Sequence, residues 1–170
     1  VEDIKGLKMR IAGLAGEIIT RLGGLPQQLP GPDIYPALEK GTIDAVEWVG
    51  PYDYEKMGFA KVAKYYYYPG WWEGGLQLDL YIHQKAWDAL SAEQKLIVET
   101  ASTYAHVETQ AKYDVKNPIA LKQLVASGVR LRPFPSDLMS KAYGQSMGLY
   151  EEISARNQNW RKIYSDYARF

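Results

Sequence analysis

The sequence predicts an α/β lobe over residues 1–75 followed by a strand and a helical half over residues 76–170. Three observations carry this. Glycine and proline punctuate the first part into short apolar runs of alternating strand and helix type, whereas long helical patterns fill the chain from about residue 84 onward. No low-complexity linker or internal repeat separates the two parts. At 170 residues with 46% apolar side chains, the chain is large enough to bury a core, which excludes disorder as its main description.

In order along the chain, residues 8–12 are predicted as a short strand ending at Gly13, and Leu14, Ile18 and Leu22 then repeat at the i, i+4 spacing of a helix packed on one face. Gly23 and Gly24 end that helix. After a proline-rich turn, Asp33 caps a second short helix that stops at Gly41, and residues 43–49 form the next apolar, β-branched run. Strand, helix, helix, strand is an α/β order. Pro51 breaks the run, and a helical turn ends near Gly58.

Residues 62–68 are β-prone and include four consecutive tyrosines, Tyr65 to Tyr68, before Pro69 and Gly70 halt them. Leu76, Leu78, Leu80 and Ile82 alternate with Gln77, Asp79, Tyr81 and His83, a period of two that predicts a strand with one buried face. Ser91 and Gln94 form a capping box that opens a long helix over residues 92–116, which Pro118 is expected to close. A helix over 119–126, a short strand over 129–132 and a helix from 136 almost to 170 complete the chain. The last helix would extend about 45 to 50 Å, longer than a small lobe is wide, so a second lobe or a partner subunit should lie beneath it. A break near Gly144 or Gly148 is the alternative.

Twenty Lys and Arg balance twenty Asp and Glu, so no basic field exists to attract nucleic acid or an anionic membrane. Cysteine is absent, which excludes disulfides, thiolate metal sites and cysteine nucleophiles. No apolar run approaches the roughly 20 residues of a membrane span. The chain begins with Val1 and shows no charged-then-apolar leader, so processing or truncation is expected to have removed a preceding part. The aromatic complement, 14 Tyr, 5 Trp and 3 Phe, is rich in rings that carry a polar handle and favours a binding surface.

Four residues stand out chemically. Arg10 ends a strand beside Gly13 and Gly16, where a guanidinium can grip a carboxylate with two prongs; a solvated surface arginine is the plain alternative. Glu47 and Trp48 lie at the end of the 43–49 run, where open α/β sheets place ligand-contacting groups. Glu73 stands in a tight aromatic turn between Trp71–Trp72 and Gly74–Gly75. If Glu47 and Glu73 meet, their repulsion must be relieved by a proton, by Arg10 or by a cation. Two carboxylates plus backbone carbonyls suit a hard ion such as sodium or calcium and not zinc. The same pair could serve a carbohydrate-active hydrolase, with the aromatics stacking on sugar rings. His83 and His106 sit in no nucleophile or metal motif and read as structural, and an aromatic-rich interaction domain without a small ligand is a third reading.

The segments Ile4-Lys5-Gly6-Leu7-Lys8-Met9-Arg10 and Ala37-Leu38-Glu39-Lys40-Gly41-Thr42-Ile43-Asp44-Ala45-Val46-Glu47-Trp48 resemble the carboxyl-terminal half of DctP-type solute-binding proteins of tripartite ATP-independent periplasmic (TRAP) transporters. The stretch Glu47-Trp48-Val49-Gly50-Pro51-Tyr52-Asp53, followed by Tyr65 to Gly75, resembles the branch that binds 2-oxo acids and related monocarboxylates such as pyruvate or lactate, and the likeness spans essentially all 170 residues, including Ala86-Trp87-Asp88-Ala89-Leu90 and the carboxyl-terminal helix. The resemblance implies a type II periplasmic-binding-protein fold, of which this chain holds the carboxyl-terminal lobe and the long terminal helices while the first lobe is missing. It implies that residues 76–170 pack across both lobes of a full protein. It further implies a non-enzymatic periplasmic protein in which Arg10 pairs with the substrate carboxylate. Glu47 and Glu73 would ligate a bridging sodium or calcium ion, and Trp48 would supply a backbone oxygen and a wall. The implied partners are a small carboxylate, the membrane subunits of a TRAP transporter and, through the carboxyl-terminal helix, a second copy of the chain.

Overall fold

The computed structural model of the chain describes residues 2–72, 74–75 and 77–170. Its first part is built on three parallel strands in the order β2-β1-β3: β1 (Lys8–Arg10), β2 (Leu25–Gln27) and β3 (Ala45–Val46). Arg10 registers with Gln27 on one side and with Val46 on the other, so β1 is central. Helices α1 (Gly13–Arg21) and α2 (Gly31–Glu39) make the crossovers that parallel pairing requires. The expected strand over 43–49 pairs only at Ala45 and Val46, and β2 lies where a proline-rich turn was expected. Pro26 is tolerated there because β2 is an edge strand.

Two cores flank this sheet. Met9, Ile11 and Ile19 pack beneath it with Trp71 and Trp72, while Ile34, Ile43 and Phe59 fill the space under α2. Helix α3 (Pro51–Lys56) follows Gly50, and β4 (Tyr65–Tyr68) pairs in parallel with β5 (Arg130–Pro133) as a separate two-stranded sheet. The tyrosine run and the 129–132 run are thus strands of one sheet.

Three expectations for the second half are corrected. Residues 77–83 form no strand, and Leu80 is 66% exposed. The alternation supplies an apolar face, but no strand of the described chain lies beside it to accept a ladder. After α4 (Gln84–Asp88), helix α5 (Ala92–Ala126) runs straight through Pro118 as one element. Proline removes one helical hydrogen bond, yet the turns on either side are held by tertiary contacts: Ala120 and Leu124 are buried, and the Asn117 Oδ1 accepts from the Tyr52 N–H at 3.1 Å. The capping box at its start forms as expected, with Gln94 N–H donating to Ser91 Oγ at 3.2 Å and Ser91 N–H to Gln94 Oε1 at 2.9 Å.

The terminal helix does break, at Asn157 and not at a glycine, giving α6 (Ser136–Arg156) and α7 (Gln158–Tyr167). Asn157 leaves helical geometry and caps α7 by accepting from the Trp160 N–H at 2.9 Å. The bend folds Trp160 and Tyr164 back onto Tyr150, with ring centroids 5.8 and 5.3 Å away, and joins Trp160 to the core of Ile18, Leu149 and Ile153. A straight helix would leave those rings in water. Helix α6 also docks on α1 through a two-pronged ion pair, Arg21 Nη1 and Nη2 to Glu152 Oε1 and Oε2 at 2.8 and 2.7 Å.

Candidate functional site

Because β1, β2 and β3 are parallel, the loops that follow them emerge at one edge of the sheet, and Arg10 ends the middle strand. Leu29 from the loop after β2 and Glu47 and Trp48 from the loop after β3 therefore close around its side chain. Arg10 Nε donates to the Leu29 carbonyl at 3.3 Å. Its Nη1 donates to the Glu47 carbonyl at 2.9 Å and to Glu47 Oε2 at 3.2 Å. The guanidinium carbon lies 4.5 Å from the centroid of the Trp48 ring, a cation–π stack. The Arg10 and Glu47 side chains are each 15% exposed, so the pair is neither a solvated surface contact nor sealed from ligand. Among the described residues no hydrogen bond occupies Nη2.

The Trp48 indole is seated by Gly31, where an added Cβ would stand 3.4 Å from two ring carbons. Its backbone N–H donates to the Tyr54 hydroxyl at 3.0 Å, and that hydroxyl donates onward to the Val46 carbonyl at 3.5 Å. Burial pushes the Tyr54 phenol well above its ordinary value, with Tyr66 next to it and the Glu47 charge adding to the shift. Tyr66 is pushed up to about 12, chiefly by burial and secondarily by the Asp53 charge.

Of the residues singled out in the sequence, Arg10, Glu47 and Trp48 converge, and Glu73 lies outside the described residues. Among the described residues no cluster of three or more His, Asp or Glu is arranged to hold a metal ion. His83 caps α4, its Nδ1 accepting from the Lys85 N–H at 3.3 Å, and His106 is exposed on α5. Sequence reasoning missed the Leu29 carbonyl and Tyr54. A signal for Tyr54 existed: it is the fourth residue of a helix opened by Pro51, the position whose side chain packs back on the chain preceding the cap.

Between the β3 edge and the β4–β5 sheet lies a cavity of about 1030 Å³ that adjoins the site, since Trp48 and Tyr54 line it together with Met9, Tyr66, Leu124 and Phe134. It is apolar and far larger than a three-carbon acid.

The description of the bacterial extracellular solute-binding proteins of family 7 (DctP) matches residues 1–157. The chain belongs to this family. A DctP relative, the monocarboxylate 2-oxoacid-binding periplasmic protein of Nostoc sp. strain PCC 7120, is 44% identical over 170 residues, covering 100% of this chain and 47% of its own length. The crystal structure of a TRAP transporter solute-binding protein from Bordetella bronchiseptica RB50, a mixed-occupancy dimer with copurified calcium and picolinate in one active site and the other site apo, superposes with a TM-score of 0.92. The two are 43% identical, and the match covers 99% of this chain and 50% of that one. A TRAP periplasmic solute-binding protein from Pseudoalteromonas atlantica with bound sodium and pyruvate gives a TM-score of 0.89 at 40% identity, covering 95% and 50%. The DctP chain described here thus spans about half the length of these relatives, and they lend the hydrolase alternative no support.

Proposed function

We propose that the complete protein captures a small monocarboxylate of the 2-oxo acid class together with a cation, in the periplasm, for delivery to the membrane subunits of a TRAP transporter. One observation carries this reading: a guanidinium fixed at the carboxyl edge of a parallel sheet keeps one nitrogen uncommitted among the described residues, beside a carboxylate and an indole wall. Leu29 and Glu47 fix the plane of the fork through Nε and Nη1, and Nη2 is left to donate to an incoming carboxylate. Orientation is thereby set before the ligand arrives.

Charge arithmetic supports the cation. Arg10 and Glu47 sum to zero, so a monocarboxylate entering this partly buried pair brings an uncompensated negative charge into a region where charges are costly. A sodium or calcium ion offsets that negative charge. Glu47 and the Trp48 carbonyl, with Glu73, would hold it, and an all-oxygen donor set fits a hard ion. The ion supplies a second point of attachment for the acid; this chain's own residues provide the guanidinium, the wall and the oriented carbonyls. Binding and release, without catalysis, is the activity this arrangement performs.

The other half of the protein has an assigned place in the same proposal. Helix α5 is about 52 Å long, and its first turns stand bare, with Leu96 63% and Tyr104 66% exposed. Residues 76–170 would pack across both lobes and bury that surface. Pairing of two copies would use α7, where Ile163 is 70% exposed.

Calorimetric titration of the full-length protein with pyruvate, lactate and a sugar panel, with added calcium or a chelator, tests the reading. Binding of a 2-oxo or 2-hydroxy acid that the chelator weakens, with no sugar binding, is the expected outcome. Sugar binding without carboxylate binding would refute it.

A further inference from the structure

The chain leaving β3 passes from ladder bonds to side-chain bonds within one residue. The last ladder contact is the Glu47 N–H donating to the Arg10 carbonyl at 2.8 Å, and the next backbone donor, the Trp48 N–H, goes to a side chain, the Tyr54 hydroxyl. That hydroxyl also donates to Val46 on the other side of Glu47. A single phenol therefore brackets the residue whose carboxylate and carbonyl both engage Arg10.

The phenol is itself fixed. Its ring stands edge-on to Phe59 at 5.4 Å between centroids and tilts against Tyr66 at 4.8 Å, and α3 carries it from below. The chain of constraint runs from the core of Ile34, Ile43 and Phe59, through Tyr54, to the loop of residues 46–48, and from there to the guanidinium.

We infer that Tyr54 is a positioning residue for the ligand site: its hydroxyl, not its ring, holds residues 46–48 so that the Glu47 carboxylate, the Glu47 carbonyl and the Trp48 indole face Arg10. The inference rests on the binding function proposed above. Tyr54 touches neither anion nor cation in this scheme; it sets the aim of groups that do. Removing the hydroxyl leaves the Trp48 N–H without its acceptor, and a partly buried donor in that state seeks another partner by moving the loop.

Tyr54→Phe in the full-length protein keeps the ring contacts and deletes only the hydroxyl. Tyr66→Phe is the control, a neighbouring phenol of the same aromatic group; the hydroxyl that bonds Val46 and Trp48 is that of Tyr54. The probes are pyruvate and calcium, read by calorimetry. Tyr54→Phe should raise the pyruvate dissociation constant about tenfold at fixed low calcium, the scale of a lost hydrogen bond with an orphaned partner, and the deficit should narrow as calcium rises. Tyr66→Phe should stay within about twofold of the wild type. Amide hydrogen exchange at Trp48, read without ligand, should speed up in Tyr54→Phe and not in Tyr66→Phe.

Unchanged pyruvate binding in Tyr54→Phe overturns the inference while leaving the binding function standing. Equal losses in both variants also overturn it, since ring packing would then be the cause. A wild type that binds no monocarboxylate at any calcium concentration removes the binding function and this inference with it. Accelerated Trp48 exchange with wild-type affinity would show a structural tether without a role in binding, and counts against the inference.

Discussion

Arg10 offers the sharpest test of the site, because the cost of altering it can be worked out contact by contact. Arg10→Ala removes hydrogen bonds to two backbone carbonyls, a charge-assisted contact to Glu47 and a stack on Trp48. Because the guanidinium is charged, each of its hydrogen bonds is charge-assisted and worth about 1.5–3 kcal/mol. The ligand's own bond to the guanidinium is of the charged kind, so affinity for pyruvate should fall by at least about 2 kcal/mol, roughly thirtyfold. Arg10→Lys keeps the charge but has no planar fork, and one ammonium cannot serve Leu29, Glu47 and an anion together. Its affinity should lie between those of the wild type and the alanine variant. Calorimetry on full-length protein, with urea unfolding in parallel to separate affinity from stability, provides the measurement. If both variants bind within about threefold of the wild type, the guanidinium is not the anchor and the argument from geometry to function fails.

Three further outcomes follow from the packing. Arg21 holds the Glu152 carboxyl below its ordinary value, so the stability that the pair contributes should be present above the usual carboxylate range and vanish as pH falls through the lowered value. Melting temperature followed from neutral to acid pH should lose part of this slope in Glu152→Gln, and because both groups are solvated the effect should shrink at high salt. Tyr54 and Tyr66 should ionise last of the 14 tyrosines in a phenolate absorbance titration. Their folded-state values are raised, so stability should hold below pH about 10 and decline above it, as the unfolded chain gives up protons that the folded one keeps. Leu149→Ala, at a side chain only 2% exposed in the α1–α6 core, should cost about 3 kcal/mol in urea unfolding. A loss under about 1 kcal/mol would mean the neighbouring side chains collapse into the space.

How much of this protein was legible in the sequence depends on the range of the interactions involved. Capping at Ser91, the helix over α1 with its glycine stop, and the end-of-strand position of Arg10 are settled within a few residues of chain, and local pattern suffices for them. Leu76 to Ile82 shows the limit. Its alternation is as strong a strand signal as this sequence contains, yet strand formation is a property of two segments, and residues 77–83 have no ladder partner among the described chain. Pro118 and Asn157 show the converse. A helix that local rules would end at proline continues because α3 holds Asn117 before it and Ala120 and Leu124 are buried after it, and a helix that local rules would carry on bends because Trp160 gains a core by bending.

The sequence by itself determined which residue types were available to the site and roughly where each stood on its element: Arg10 after a strand, Glu47 and Trp48 after another. Only the tertiary structure decided that parallel pairing brings those two strand ends side by side, that Leu29 and the Glu47 carbonyl set the plane of the guanidinium, and that a phenol six residues beyond Trp48 holds the loop. The physical reason is that backbone propensity acts over a turn of chain, whereas hydrogen bonds spanning 19 to 37 residues form only after the sheet has fixed the register.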